Sequence, residues 1–233
     1  MKDTAVKAMF ETIADTYDFQ NSFLSLGRDI SWRKDLARSI RAGERAIICD
    51  VAVGTAEVAL AIARHHPRSR VVGVDFSPAM LAMGRKKILA RGLRDRISLT
   101  AGDGRRLPLR DDSFDAVTIA FGLRNIEERH LALREFYRVL KPGGQLLVME
   151  FSYPEGPLLN AAYRFYFDRI LPPVGNWLSR TDYAYSYLAD SVKQFPSDDE
   201  FLHEIGQAGF EQLTATKLTF GIAKIFHGVK EKG

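Results

Sequence analysis

The feature that most constrains this chain is an alternation. Short apolar runs at Ala46–Val53, Arg70–Val74, Ile97–Ala101, Phe114–Ala120 and Gln145–Glu150 are separated by stretches whose apolar residues recur at helical spacing. Strand-like runs alternating with helical patterns define an α/β fold, and no repeat or linker divides it, so the expectation is one domain over residues 1–233.

The boundary residues support that reading. Ser77 followed by Pro78 supplies an N-cap and a first-turn proline, and Gly92 closes the helix whose apolar face is expected from Leu81, Ile88 and Leu89. Lys141-Pro142-Gly143-Gly144 is expected to stop the helix carrying Leu133, Phe136, Val139 and Leu140. Ser197 and Glu200 have capping-box spacing ahead of Phe201, Leu202 and Ile205, with Gly209 as the stop. Phe210–Lys217 and Lys224–Lys230 lie too close together for a crossover helix and are expected to form an antiparallel hairpin.

Two segments break the alternation. Residues 1–41 are largely helical by pattern, and residues 153–195 are rich in Tyr, Phe and Pro. Both read as additions covering one end of the sheet, the first as a lid and the second as a cap over the acceptor, because ligands of open α/β sheets bind at that end. Hydrophobic residues at 46% and charged residues at 27% suit a folded body with a sizeable core. A net charge of +4 spread along the chain makes nucleic acid a poor expectation as partner, while leaving peripheral contact with an anionic membrane open. One cysteine, Cys49, permits no internal disulfide and reads as a small buried hydrophobe, so the chain is expected to be cytoplasmic. The five histidines lack ligand spacing, and no metal is expected.

The loop Asp50-Val51-Ala52-Val53-Gly54-Thr55-Ala56-Glu57 follows a strand and precedes a helix over Val58–Arg64. Small residues there let backbone amides approach a ligand. Asp75, at the end of the next strand, is placed to take both hydroxyls of a ribose. A dinucleotide site wants three glycines in that turn; this loop has one, and it opens with an acid. An acid suits a positively charged amino-acid moiety better than a pyrophosphate, which points to S-adenosylmethionine. A plain tight turn would use the same small residues, and Asp75 is what favours the cofactor.

Longer motifs carry a resemblance. Tyr17-Asp18-Phe19-Gln20-Asn21, Leu24-Ser25-Leu26-Gly27, Trp32, Phe121-Gly122-Leu123-Arg124-Asn125, Arg138-Val139-Leu140-Lys141-Pro142-Gly143-Gly144, Glu150-Phe151-Ser152, Tyr187-Leu188-Ala189-Asp190-Ser191 and Leu218-Thr219-Phe220-Gly221 resemble the ubiquinone/menaquinone biosynthesis C-methyltransferase family almost end to end. The resemblance implies a Rossmann-like class I methyltransferase with a mostly parallel seven-stranded sheet and an antiparallel last strand. It also implies methyl transfer from S-adenosylmethionine to a ring carbon of a polyprenylated quinol, with demethylmenaquinol as the expected acceptor. By motif position Thr55 falls at a residue touching the cofactor, Asp75 at the ribose carboxylate and Asp103-Gly104 at the adenine side; Asp50, Gly54, Ala56, Phe76 and Ala120 complete the expected cofactor set.

Four residues depart from the family pattern: Gln20, Ala56, Glu57 and Ala120. Ala56 narrows the cofactor loop if its backbone must be left-handed, and Ala120 removes a hydroxyl, a loss of about 1 kcal/mol. These departures leave room for another lipid or aromatic acceptor, or for a non-catalytic scaffold.

A hydroquinone carbon becomes nucleophilic when a neighbouring hydroxyl loses its proton, so the site must stabilise a phenolate and align the ring. Arg124 and Asn125 are the candidates, the guanidinium for charge and the amide for a ring oxygen, with water as proton relay. A buried arginine bonding carbonyls at a strand end would look the same. Tyr17, Asp18 and Asn21 are the lid candidates, and Arg164 and Tyr187 the polar members of an aromatic segment that includes Tyr163, Phe165, Tyr166, Phe167, Trp177, Tyr183 and Tyr185. Most of those aromatics read equally well as packing. Arg105-Arg106 and Arg85-Lys86-Lys87 read as solvated faces, and Arg169, Pro172 and Pro173 leave a membrane or homodimer contact open.

Overall fold

A computed structural model describes residues 11–12, 18, 22, 25, 27–154, 156–166, 169, 173 and 184–232. Its strands are β1 (Ile47–Val51), β2 (Arg70–Asp75), β3 (Ile97–Ala101), β4 (Phe114–Ala120), β5 (Leu140–Phe151), β6 (Phe210–Leu218) and β7 (Ala223–Lys230). They form one seven-stranded sheet in the order β3-β2-β1-β4-β5-β7-β6. The first five pair in parallel, and β7 runs antiparallel to both β5 and β6. Every strand expected from the apolar runs is present, and the two close C-terminal runs do form the hairpin.

Helices α1 (Arg28–Ser39), α2 (Glu57–His65) and α3 (Pro78–Ala90) lie on one face, where Trp32, Leu36, Ile62 and Leu81 pack on alternate strand residues such as Ile48 and Leu147. Helices α4 (Arg129–Val139) and α7 (Asp198–Gln207) cover the other, with Leu133, Phe136, Phe201 and Ile205 against Cys49, Val117 and Leu146. The period-two alternation of strand side chains divides the core in this way. Helices α5 (Pro157–Phe165) and α6 (Ala184–Lys193) belong to the aromatic segment. Among the described residues no helix is long and apolar enough to cross a membrane.

The caps are where the sequence places them. Ser77 accepts the Met80 N–H with Pro78 next in line, and Ser197 and Glu200 form both halves of a capping box. Two expectations need correction. Leu89 is 65% exposed rather than part of the apolar face of α3. Lys141-Pro142-Gly143-Gly144 does not follow the helix as a stop: α4 ends at Val139, Leu140 is already extended and pairs with Phe114, and the register resumes at Ala116 with Gln145. The four residues are therefore a bulge inside β5, turned by Gly143 at φ +77°.

Candidate active site

The strand order reverses between β1 and β4, so the crevice beyond their carboxyl ends is where this architecture accepts a ligand. Close backbone approaches bring the loops together there. A Cβ added to Gly122, after β4, would lie 2.6 Å from the Ala52 methyl after β1; one added to Gly104, after β3, would meet Ile126 and Val51 at 3.2 and 3.3 Å. Glycine at both positions lets the loops touch.

The first loop turns through left-handed backbone at Ala52, Gly54 and Ala56, with φ of +52°, +54° and +70°. The condition on which Ala56 would crowd the loop is thus met: a non-glycine residue there costs about 1 kcal/mol or more. Asp75 holds the loop from the side. Its buried carboxylate accepts the Gly54 N–H at 2.8 Å through Oδ2 and the Ser77 N–H at 2.9 Å through Oδ1, tying the loops after β1 and β2 together. Burial pushes its pKa up. Phe76 sits between those anchors, and the N-cap of α2 is Ala56, which offers no side-chain hydrogen bond to the helix's first turn.

Asp50 is more deeply buried. Its Oδ1 accepts the Thr118 hydroxyl at 2.7 Å, and its Oδ2 has no hydrogen-bond partner among the described residues. Burial raises the carboxyl to about 7, with Asp75 adding to the shift. One oxygen of this buried acid thus keeps hydrogen-bonding capacity at the crevice, which fits a cationic ligand group.

Asp18 reaches this loop from the N-terminal region. It accepts the Thr55 hydroxyl at 2.6 Å and the Lys87 ammonium, while Lys87 also bonds Glu57 at 2.8 Å. Lys87 is therefore not part of a solvated face; its side chain is 18% exposed and held by two carboxylates. The other two lid candidates, Tyr17 and Asn21, lie outside the described residues, as do Phe167, Trp177 and Tyr183.

After β4, the turn Leu123–Asn125 carries the catalytic candidates. Arg124 is buried against Glu150, with side-chain exposures of 8% and 1% and an Nη1 to Oε2 distance of 2.9 Å. Nη1 also donates to the Phe121 carbonyl, and the Arg124 backbone N–H donates to Glu150 Oε1 at 3.1 Å. The guanidinium is thus neutralised within the protein, so it does not stand as a free positive charge facing an acceptor. It ties the turn to the end of β5, much as a structural arginine at a strand end would. Its Nε–H is buried without a partner among the described residues. Asn125 Oδ1 accepts the Tyr187 hydroxyl at 3.1 Å from α6, leaving the amide NH2 to donate elsewhere.

Phe121 and Phe151 stack at 4.3 Å between ring centroids, Trp32 meets both near 6 Å, and the Arg124 guanidinium lies over Phe151 at 5.4 Å. This aromatic wall, with Glu150 and Lys87, is what a reading of the chain alone misses. The acid ending an otherwise apolar strand is the signal that could have found Glu150. Asp103 is gripped by Arg105, which also reaches Glu128, so Arg105 is not a solvated charge, and the Asp103 carboxyl is held below its usual range. Ala120 pairs with Met149 at the end of β4. Arg164 bonds Asn160 at 2.7 Å and covers the Tyr153 ring at 4.5 Å, alongside Tyr163 and Tyr166.

The orphaned Asp50 oxygen, the uncapped first turn of α2 and the Asp75 carboxylate at a β-strand end fit a ligand with an ammonium, a carboxylate and a ribose. The sheet order and these groups suit an S-adenosylmethionine-dependent methyltransferase, the class that the family match shows. The sequence profile of the ubiE/COQ5 methyltransferase family matches residues 1–230. The ubiquinone/menaquinone biosynthesis C-methyltransferase UbiE of Geobacter sulfurreducens is 45% identical over 230 residues, 98% of this chain and 90% of that one. The demethylmenaquinone methyltransferase of Streptomyces avermitilis is 40% identical over 225 residues, 97% and 94% of the two chains. A possible histamine N-methyltransferase from Thermotoga maritima shares the fold, with a TM-score of 0.68 at 20% identity over 96% of this chain and 99% of its own. The chain belongs to the ubiE/COQ5 methyltransferase family.

Proposed function

We propose that this chain methylates a ring carbon of a polyprenylated quinol, with demethylmenaquinol as acceptor. The observation that carries the reading is the family match over residues 1–230, with the joining of Asn125 to Tyr187 beside the buried Arg124–Glu150 pair giving the groups an acceptor would meet. The bound cofactor supplies an electrophilic methyl group on a sulfonium. Asp50 and the first turn of α2 hold its amino-acid end, Asp75 with Phe76 its ribose, and Asp103-Gly104 its adenine, while Gly54, Thr55, Ala56 and Ala120 shape the space between.

The acceptor needs an oxygen held as phenolate. Asn125 donates its amide to that oxygen, oriented by Tyr187, while the Arg124–Glu150 pair holds the turn that carries Asn125. A water relays the phenolic proton to solvent, and after the carbon–methyl bond forms as the carbon–sulfur bond breaks, the ring carbon's proton leaves by the same route so that the ring regains aromaticity. Phe121, Phe151 and Trp32 give a flat ring its wall.

Labelled S-adenosylmethionine with a demethylated naphthoquinol, a demethylated methoxybenzoquinol and phosphatidylethanolamine tests the reading. Label in the naphthoquinol is expected. Label only in phosphatidylethanolamine would sink it, and label only in the benzoquinol would move the acceptor.

We also propose that the acceptor is met at a lipid surface. Support comes from the turn Thr219–Gly221 between β6 and β7, at the same sheet edge as the site, where Phe220 is 78% exposed on left-handed backbone. Cosedimentation with phosphatidylglycerol vesicles is expected, and its absence at low salt would remove this part.

A further inference from the structure

The Asp18–Lys87–Glu57 cluster joins three separate parts of the chain at one ammonium group. Asp18 comes from the N-terminal region, Glu57 opens α2 and Lys87 sits in the last turn of α3. Asp18 also holds Thr55, so its carboxylate bridges the cofactor loop and the α3 amine. The side chains are 31%, 29% and 18% exposed for Asp18, Glu57 and Lys87, which leaves the ammonium the most enclosed of the three.

Helix α3 reaches the same loop at a second point. A Cβ added at Gly84 would lie 3.2 Å from the Ala56 methyl and 3.5 Å from the Gly54 carbonyl oxygen, while striking Leu99 at 2.9 Å. Residues three apart share a helix face, so Gly84 and Lys87 lie one above the other. The helix therefore braces the left-handed turn at Ala56 through Gly84, and fastens the residues on both sides of it, Thr55 by way of Asp18 and Glu57 directly, through Lys87.

That arrangement answers a physical need. Ala56 holds a backbone conformation that a side chain disfavours, and strained turns persist where the surroundings over-determine them. The N-cap of α2 adds no side-chain hydrogen bond of its own. Two carboxylates brought within reach of one loop would also repel each other without a cation between them.

We propose that Lys87 is a positioning residue for cofactor binding: its ammonium clasps Asp18 to Glu57 and thereby holds the Asp18 carboxylate and the left-handed loop in the arrangement that receives S-adenosylmethionine. Lys87 touches neither the cofactor nor the acceptor. It acts through Asp18 and Glu57, and its role rests on the chain being an S-adenosylmethionine-dependent methyltransferase rather than on which acceptor it uses.

The test is calorimetric titration of the full chain with S-adenosylhomocysteine, which needs no acceptor, so failure here and failure of the quinol reading are told apart. Lys87→Met is expected to weaken binding about tenfold, and Lys87→Arg to stay within about threefold of wild type. With any active acceptor, the loss should fall on KM for S-adenosylmethionine rather than on kcat. Asp18→Asn should weaken binding by a similar factor, and the Asp18→Asn, Lys87→Met double variant by no more than either single change, because both break one clasp. Should Lys87→Met not fold, Asp18→Asn alone decides, being a change outside the sheet and its packed helices. Unchanged affinity in Asp18→Asn, or losses in the two single variants that multiply in the double, would overturn the proposal.

Discussion

The loops after β1 and β2 and the loops after β4 and β5 stand side by side at one sheet edge, yet they are held by different physics. On the proposed cofactor side backbone groups take part, with Asp75 accepting the N–H groups of Gly54 and Ser77 and Val53 donating to the Val74 carbonyl, and side-chain pairs such as Thr118 with Asp50 and Lys87 with Asp18 and Glu57 add to them. On the acceptor side the ties are side-chain pairs that appear only once remote segments meet, Arg124 with Glu150 and Asn125 with Tyr187. The first kind is bound to local geometry and tolerates little beyond small residues. The second kind includes a buried charge pair whose members depend on each other, so neither can be changed alone without a large cost.

The contrast is most open to attack at the buried pair. Glu150→Gln leaves the Arg124 guanidinium charged and unpaired, and about 3–5 kcal/mol of stability should be lost in urea unfolding. Thr118→Val, on the cofactor side, should cost only about 1–2 kcal/mol. Equal losses would erase the distinction.

Asp50 offers the next largest effect. Its carboxyl is raised to about 7 in the fold, whereas the unfolded chain ionises near the ordinary carboxylate value. Between those values the folded state holds a proton that the unfolded state has released, so the Asp50 contribution to stability is complete below about pH 4, falls as pH rises and is lost above about pH 7. Asp50→Asn keeps the Thr118 hydrogen bond and should remove this dependence, gaining about 4 kcal/mol over wild type at pH 8 when the two are matched at pH 4. The same proton should be released when S-adenosylmethionine binds at pH 6, measurable as buffer-dependent heat. Parallel stability curves for wild type and variant would show that Asp50 ionises normally.

Tyr187→Phe removes one hydroxyl and should cost about 1 kcal/mol, seen as a roughly fivefold fall in kcat with little change in S-adenosylhomocysteine affinity. A change in affinity instead would move Tyr187 to the cofactor side. Smallest of all is Ala56→Gly. Relief of left-handed strain, about 1 kcal/mol, opposes the loss of a fully buried methyl worth about the same, so the unfolding midpoint in urea should hardly move. A large gain would mean the turn is more strained than its φ implies.

The same contrast explains what could be read from the residues alone. Strand positions, the Ser77 and Ser197 caps and the Gly54–Asp75 constellation are local, so periodicity and spacing reveal them. Lys87 stands in a basic triplet whose local pattern is that of a solvated face, and nothing nearby announces partners at Asp18 and Glu57. Arg124 stands out in the sequence, but its neutralisation by Glu150 depends on β5 lying next to β4 in that register. The bulge at Lys141–Gly144 was hidden for a related reason: a Pro-Gly-Gly run reads as a stop, and only strand pairing on both sides of it makes it an interruption.

The inserted strand β7 has a consequence for the order in which the molecule can be completed. It lies inside the sheet between β5 and β6, although it is the last of the seven strands to be synthesised, and the turn before it supplies the Thr219 hydroxyl that accepts the Trp32 indole N–H at 2.8 Å. A nascent chain that has emerged only through Lys217 has β5 with an open edge and Trp32 without that acceptor. The aromatic wall and the β5 end that carries Glu150 are thus completed by residues synthesised after the rest of the sheet, and β5 presents an open edge until β7 pairs with it.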